Sequence, residues 1–408
     1  MLTQEENDKL TRVGPGTPAG ELLRRYWLTL AIAEELTEEH PTKFVRLLGE
    51  DLVLFLDKSG RVGLLADHCS HRGASLLYGR VEERGIACAY HGWLYDCEGN
   101  ILETPPERNE AIMNSVKHTA YPVQKMAGLY WTYMGPPPAP VLTPYDVLAR
   151  MDGKRRITVH PVLDCNWFQT MENAADPTHA PILHQDHSGQ TAVPVNTTRG
   201  FIDDQPSFDF WQVEYGIMKR RNFRNGESDE HPLVFPNILR SGGNFQIRVP
   251  VDDTHTWRVD VSFQASPDGS EDPSAAEPPV RYPEPYKSPP NALHPFTRMT
   301  TRTVVEQDHM AWETQGPISN RTAEHLADGD RAIVFLRKLT MENIEKVAQG
   351  LDPMGVIRDP DHPIIDTNMA HDLQTTGGQT GAGRPYGLTT GTVTTREATG
   401  PRGRFGSD

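Results

Sequence analysis

Cys69-Ser-His71-Arg-Gly73 and Cys88-Ala-Tyr-His91-Gly92-Trp93, separated by the stretch Arg72 to Ala87, are the two segments from which the rest of the chain is best read. Each offers one thiolate and one imidazole. Tetrahedral zinc also accepts two Cys and two His, but zinc fingers group Cys with Cys and His with His, whereas both segments here are mixed. Mixed segments let both thiolates bind one iron and both imidazoles the other, the ligand set of a Rieske-type [2Fe–2S] centre. Gly73 and Gly92 follow the ligands and allow the backbone to approach the cluster and donate N–H bonds to its sulfurs. Respiratory centres carry an extra Cys in each loop and a membrane anchor. Tyr90 stands between the second-loop ligands here, so a low-potential centre with few sulfur hydrogen bonds is expected.

Outward from these loops the texture is β. Short apolar runs at Phe44–Leu48, Leu52–Leu56, Val62–Ala66, Ile86–Tyr90 and Gly128–Tyr133 are separated by Gly and Asp/Asn turns, which predicts a small antiparallel β domain over 44–135. Gly135-Pro-Pro-Pro-Ala-Pro140 is a stiff linker. Before the β domain, residues 1–43 read as a helical segment packing on the second domain. After it, residues 141–371 mix strand-like runs (Arg156–Val162, Phe208–Tyr215, Phe245–Val251, Trp257–Gln264) with helices at Trp167 to about His184, Glu306–Thr314 and Asp328–Gln349. The fold class expected is α+β, an antiparallel sheet against helices. Residues 266–292 read as a long surface loop and residues 372–408 as a Gly/Thr-rich tail.

The chain has 408 residues, enough for two domains, and 40 basic against 55 acidic side chains give a net charge of −15. Such a surface repels phosphate backbones and anionic membranes, so neither nucleic acid nor membrane is expected as a partner. The start of the chain lacks a signal-peptide pattern and no window approaches the roughly 20 apolar residues of a membrane helix, so the cytoplasm is expected. Four cysteines do not make a disulfide framework; Cys97 and Cys165 read as buried free thiols.

A second metal site is suggested by Glu172-Asn-Ala-Ala-Asp176-Pro-Thr-His179-Ala-Pro-Ile-Leu-His184. On an ideal helix His179 and His184 are about 140° apart and do not share a face, but Pro181 can break the hydrogen-bond ladder and bend the segment. Non-heme Fe(II) oxygenases use two His and one carboxylate on one face of the iron. The carboxylate is expected downstream, at Asp308, Glu306 or Glu313. Asp176 ahead of Pro177 also suits a helix N-cap.

Taken together, Cys69-x-His71, Cys88-x-x-His91-Gly-Trp and Asn173-x-x-Asp176-x-x-His179-x4-His184 resemble the Rieske non-heme iron oxygenase α subunits. Gln307-Asp308, Gln315–Ile318, Arg321–Leu326 and Pro250–Thr256 are similar to the phthalate dioxygenase-like branch, which includes aryl O-demethylases. The resemblance implies a helix-grip (START-like) catalytic domain and Asp308 as the carboxylate ligand beside His179 and His184. It also implies that Asp176 bridges an iron His to His91 of a neighbouring subunit, in a homotrimer or homohexamer. The implied reaction activates O2 with electrons that a separate flavin/ferredoxin-type reductase draws from NAD(P)H. Hydroxylation of an aromatic substrate, mono- or cis-dihydroxylation, is expected, with O- or N-demethylation the alternative on the same scaffold. The rival from another class is an electron carrier without catalysis.

An aromatic carboxylate, the branch's usual substrate, calls for a cation in the pocket. Arg240 is the leading candidate, with Arg220 and Arg248 behind it, and Asn166, Gln169 and Asn173 are candidates for the pocket wall. Glu230–Asn237 lacks the Arg that phthalate-type members carry just ahead of the apolar run, which argues against phthalate itself.

Overall fold

Hydrophobic patterning divides the chain into a small β unit and a larger sheet-and-helix unit. The structure, a computed structural model, describes residues 1–107, 111–184, 207–222, 226, 228–285 and 303–367. The tail at 372–408 and the end of the loop, 286–292, lie outside these residues. The helices are α1 (Gln4–Thr11), α2 (Pro18–Leu23), α3 (Ala111–Ser115), α4 (Asp146–Ala149), α5 (Trp167–Ala175), α6 (Ala180–Leu183), α7 (Val304–Thr314) and α8 (Arg331–Ala348).

The small unit is built on two four-stranded antiparallel sheets. One is ordered Thr42–Leu47, Glu50–Leu56, Val62–Ala66, Ala120–Tyr121; the other Arg80–Glu82, Gly85–Ala87, Leu94–Tyr95, Ile101–Glu103. Val53, Phe55, Leu65, Leu76, Ile86, Trp93, Tyr95 and Ile101 form its core. The first hairpin turns through Leu48 and Gly49, both at positive φ (50° and 75°), as a two-residue hairpin of matching twist requires. Its two N–H groups are donated to Pro250 O and Val251 O of the larger unit, at 3.0 and 2.9 Å.

The N-terminal segment departs from a purely helical reading. Gln4–Thr11 and Pro18–Leu23 are its α-helices; α1 packs on α5 and α8, and α2 on α1 and α8. Trp27–Ile32 is a strand, every residue buried, paired with Leu129–Tyr133. A short continuous apolar run suits a strand covered on both faces.

The large unit is a nine-stranded sheet, antiparallel except where Gly153–Val159 meets Val280–Arg281. Strands Asn244–Pro250 and Thr256–Ala265 lie at its centre, paired Gln246↔Asp260 and Arg248↔Arg258. Phe245, Ile247, Val249, Val259 and Val261 alternate with these and join the main apolar core. The face that carries Gln246, Arg248, Arg258 and Asp260 is therefore polar yet buried. Helix α7 covers it: Arg248 and Arg258 stack on Trp312 at 5.4 and 5.6 Å. The α+β class thus holds, with antiparallel strands in the small unit and a sheet with helices in the large one.

Candidate functional site

The two cluster segments are adjacent loop tips. The first follows the strand Val62–Ala66, and the second joins Gly85–Ala87 to Leu94–Tyr95. Each is a tight turn closed on its own cysteine: Gly73 N–H donates to Cys69 O at 2.8 Å, and Gly92 N–H to Cys88 O at 2.9 Å. Both glycines have φ near +75° (74° and 78°), which a β-carbon would resist. Cys69 and Cys88 are buried and unlinked. Burial pushes the Cys88 thiol up, while the backbone groups of Tyr90 and His91 pull it down. The His71 and His91 rings lie 4.5 Å apart, and Trp93 stacks on His71 at 4.7 Å, nearly parallel at 4°. His71 Nδ1 is buried with no hydrogen-bond partner. Two buried cysteines, two adjacent imidazoles and an orphaned ring nitrogen fit a [2Fe–2S] group with unequal irons.

Behind the loops, Tyr95 Oη lies 3.0 Å from Cys69 Sγ, so the sulfurs are not wholly without side-chain hydrogen bonds. Ser70 Oγ meets His118 Nδ1 at 2.7 Å, and His118 Nε2 meets Ala66 O at 2.7 Å, which ties the first loop to the strand before it.

The second centre forms where α5 stops. Asp176 is the C-cap of α5, not the N-cap of a following helix. Its Oδ1 accepts from Thr178 N and Oγ1, both at 2.7 Å, which turns the chain sharply. The interruption thus lies at Asp176–Thr178 rather than at Pro181, which occupies the first turn of α6, where a missing N–H leaves no bond unmade. His179 and His184 bracket α6 as its caps, and their rings meet edge to face at 5.5 Å.

Helix α7 supplies the carboxylate. Glu306 is engaged in the capping box of Thr303, and Glu313 accepts from Asp164 N at 2.7 Å. Asp308 instead faces the histidines, with Oδ1 3.5 Å from His179 Nε2 and 3.3 Å from His184 Nε2. That oxygen is buried without a hydrogen-bond partner, and one ligand atom from each of the three residues lies within 4.8 Å of the others. Of the outer ring nitrogens, His184 Nδ1 meets Gln307 Oε1 at 2.8 Å, while His179 Nδ1 lies 3.3 Å from Asp176 Oδ2, an ion-pair contact outside hydrogen-bond geometry. Both contacts leave Nε2 facing Asp308. Burial presses the His179 imidazole down, but Asp176 and Asp308 outweigh it and lift it to about 9. Burial would raise the Asp308 carboxyl, but the two imidazoles hold it far below the usual range. Two neutralisable imidazoles and one carboxylate converging on a point could hold a divalent iron with one face open.

Two family models match the chain. Residues 26–123 match the family model of the Rieske [2Fe-2S] domain, and residues 293–370 match that of the LigXa C-terminal domain like family. The chain is 38% identical over 371 residues to the 5,5'-dehydrodivanillate O-demethylase oxygenase subunit of Sphingobium sp. (strain NBRC 103272 / SYK-6), covering 88% of this chain and 84% of that protein. The chain belongs to the Rieske non-heme iron oxygenases, in the phthalate dioxygenase-like branch.

A second relative in this branch is the phthalate 4,5-dioxygenase oxygenase subunit of Pseudomonas putida, 32% identical over 87% of this chain and 89% of that one. The fold matches the terminal oxygenase of carbazole 1,9a-dioxygenase from Nocardioides aromaticivorans IC177, with a TM-score of 0.61 at 18% identity over 84% of this chain and 97% of that one. As a Rieske oxygenase the protein is an oxidoreductase whose cofactors are the [2Fe–2S] cluster, a mononuclear iron and O2, with electrons supplied by a separate reductase. No helix among the described residues is long and apolar enough to cross a membrane.

The expected substrate residues fare differently. Arg240 is buried, but Asp146 holds its guanidinium at 2.7 and 2.6 Å, and Gly242 O and Thr367 take further N–H groups. It is an internal ion pair rather than a substrate clamp. Arg220 pairs with Glu230, and Arg248 with Gln246. Asn166 caps α5 and donates to Thr11 O and Asp253 O; Gln169 donates to Trp312 O and Gly316 O. Their amides are engaged in joining α5 to α1 and α7. Asn173 is half-buried on the last turn of α5. Sequence reasoning passed over Lys219, buried in the basic run Lys219-Arg-Arg221, because a lysine beside two arginines reads as solvent-facing. It also gave Gln307 no role, although its place next to Asp308 was a usable signal.

Proposed function

We propose that the protein is the terminal oxygenase that hydroxylates an aromatic carboxylate, with Cys69, His71, Cys88 and His91 holding the cluster and His179, His184 and Asp308 holding the mononuclear iron. The observation that carries this reading is the convergence of His179 Nε2, His184 Nε2 and Asp308 Oδ1 at the end of α5. A simple electron carrier would have no use for it. When bound, the iron supplies O2 activation with electrons delivered through the cluster. The chain's own groups orient the ligands: Gln307 fixes the outward nitrogen of His184, Asp176 sets a negative charge 3.3 Å from that of His179, and Trp93 fixes the plane of His71. Asp176 is further proposed to reach His91 of a neighbouring copy in a homotrimer or a hexamer. A carboxylate between two imidazoles would orient both and shorten the electron path. The cytoplasm is the compartment proposed.

O-demethylation is the second reading. It is favoured by the relative at 38% identity, whose name is that of an O-demethylase; hydroxylation of a methoxy carbon on the same scaffold gives a hemiacetal that releases formaldehyde.

The test is metal and acid-labile sulfide analysis of the purified protein, followed by reductase-dependent O2 uptake with aromatic acids and their methoxylated analogues. Three irons to two sulfides, with uptake that depends on the aromatic acid, are expected. Formaldehyde release separates demethylation from ring hydroxylation. Zinc without sulfide, or two irons with no aromatic-dependent uptake, would overturn the reading.

A further inference from the structure

We propose that Lys219 is the substrate-selecting residue of this oxygenase, its buried ammonium binding the carboxylate of the aromatic substrate beside the His179, His184 and Asp308 group. The inference rests on the reading of the substrate as an aromatic acid and names the residue that recognises it.

Four observations place the residue. The register runs across the sheet from Ile217 through Leu233, Leu239 and Gln246 to Asp260. Lys219, two residues along from Ile217, therefore shares the buried polar face that α7 covers. The side chain is 7% exposed, and its Nζ donates to Ala174 O at 2.8 Å. Ala174 lies in the last turn of α5, whose carbonyls point along the helix axis toward the segment that follows. That segment is Asp176 to His184, so Nζ sits at the end of α5 from which both iron-site histidines emerge. Third, the nearby acids are already engaged: Asp229 by Arg221, and Asp176 by Thr178 and His179. Fourth, the arginines that could have served as the clamp are paired elsewhere.

An ammonium has three donors, and among the described residues one of them is given to Ala174 O. Burying a cation is costly unless an anion meets it, and with Asp229 and Asp176 engaged by other groups a ligand carboxylate would supply that anion. Burial lowers the Lys219 ammonium to about 8, with the charges of Arg221 and Arg248 adding to the effect and those of Asp176 and Asp229 opposing it. It thus remains mostly cationic at neutral pH, and an arriving carboxylate would hold it so. A lysine offers a point charge rather than a planar fork, so one carboxylate on a flat ring can be held without fixing the ring's rotation about that bond.

The experiment uses the reconstituted holoenzyme and a panel of methoxylated aromatic acids, each beside its methyl ester. Dissociation constants come from equilibrium dialysis, and kcat/KM from reductase-dependent O2 uptake. The wild type is expected to prefer acid over ester at least tenfold. Lys219→Gln, which keeps a donor for Ala174 O and removes the charge, should weaken acid binding at least tenfold and leave the ester within twofold. Lys219→Arg should restore part of the acid preference. The visible cluster spectrum and circular dichroism confirm folding of each variant, with Lys219→Met as a second neutral variant.

Equal losses for acid and ester would make Lys219 a support of α5 and overturn the proposal, as would an unchanged preference in both neutral variants. A wild type that takes up O2 with neutral aromatics and shows no acid preference would overturn the Lys219 assignment and leave the oxygenase reading standing. Absence of uptake with every aromatic would instead defeat the oxygenase substrate reading itself.

Discussion

The cluster loops and the iron site solve the same problem, presenting imidazoles to iron, with opposite architecture. The proposed cluster ligands all lie within residues 69–91, on two turns closed by their own backbone hydrogen bonds. The iron-site residues run from 179 to 308 and come from two helices that meet only through the tertiary fold. The first arrangement is local and carries its geometry with it. The second depends on whatever holds α5 against its neighbours.

That support is a buried charge network. Glu172, one turn before Asp176, accepts from Arg321 at 2.9, 3.1 and 2.6 Å and from Arg337 at 2.7 Å. Arg321 also reaches Asn7 of α1 at 2.9 Å, and Arg337 reaches Glu324 at 2.8 Å. Helix α5 is thereby tied to both the start of the chain and its last described helix. The cluster loops have no comparable network and rest instead on Tyr95, His118 and Trp93.

The largest test of this contrast removes one centre at a time. His179→Ala should abolish aromatic-dependent O2 uptake while the red-brown spectrum and two sulfides per chain survive. Cys88→Ala should erase the spectrum and sulfide. If His179→Ala bleached the cluster as well, the two centres would not be separately built.

Next in size is Glu172→Ala, which leaves the buried Arg321 guanidinium facing no carboxylate and Arg337 with Glu324 alone. A loss of about 3–5 kcal/mol in denaturant unfolding is expected, with iron retention falling before the cluster spectrum does. Simultaneous loss would argue against a support specific to α5.

Gln307→Leu removes the acceptor for His184 Nδ1 without touching a ligand. Mononuclear iron affinity should fall about 10- to 100-fold, measured by metal competition at the intact cluster, and Gln307→Glu should recover part of it. The smallest effect is expected at Tyr95→Phe. Losing one hydrogen bond to Cys69 Sγ, worth about 1 kcal/mol, should lower the cluster potential by roughly 40 mV for a one-electron couple. Redox titration of the visible spectrum reads it, and an unchanged potential would mean the hydroxyl is not a donor to that sulfur.

The same contrast explains what the sequence disclosed. The cluster motif was legible because its chemistry is contiguous: mixed Cys/His loops and their glycines are visible in a single reading. The strands around it were legible from short apolar runs and turn residues, although Ile86–Tyr90 was read too long because Cys88 leaves the strand to reach the cluster. At the iron site, the histidines could be paired only by supposing a bend. That bend was placed at Pro181, whereas the Asp176–Thr178 turn produces it. Choosing Asp308 over Glu306 and Glu313 from the residues alone was not possible, since all three lie on one helix. The capping box at Thr303 and the backbone of Asp164 remove the other two. Arg240 and Lys219 show the converse error. Net charge and residue type say nothing of which cation finds a carboxylate, and that pairing is set by strands far apart in the chain.

The turn at Leu48 and Gly49 gives the small unit a fixed handle on the large one. Its two N–H groups end on Pro250 and Val251, at the edge of the same pair of strands that carries Arg248 and Arg258. For anyone exchanging reductase preference between relatives, this sets the cut points. A transplanted cluster unit that keeps its loops but alters this two-residue turn would arrive with the right chemistry at the wrong angle. The hairpin belongs with the donor's surface only if the recipient's strand ends at Val251 travel with it.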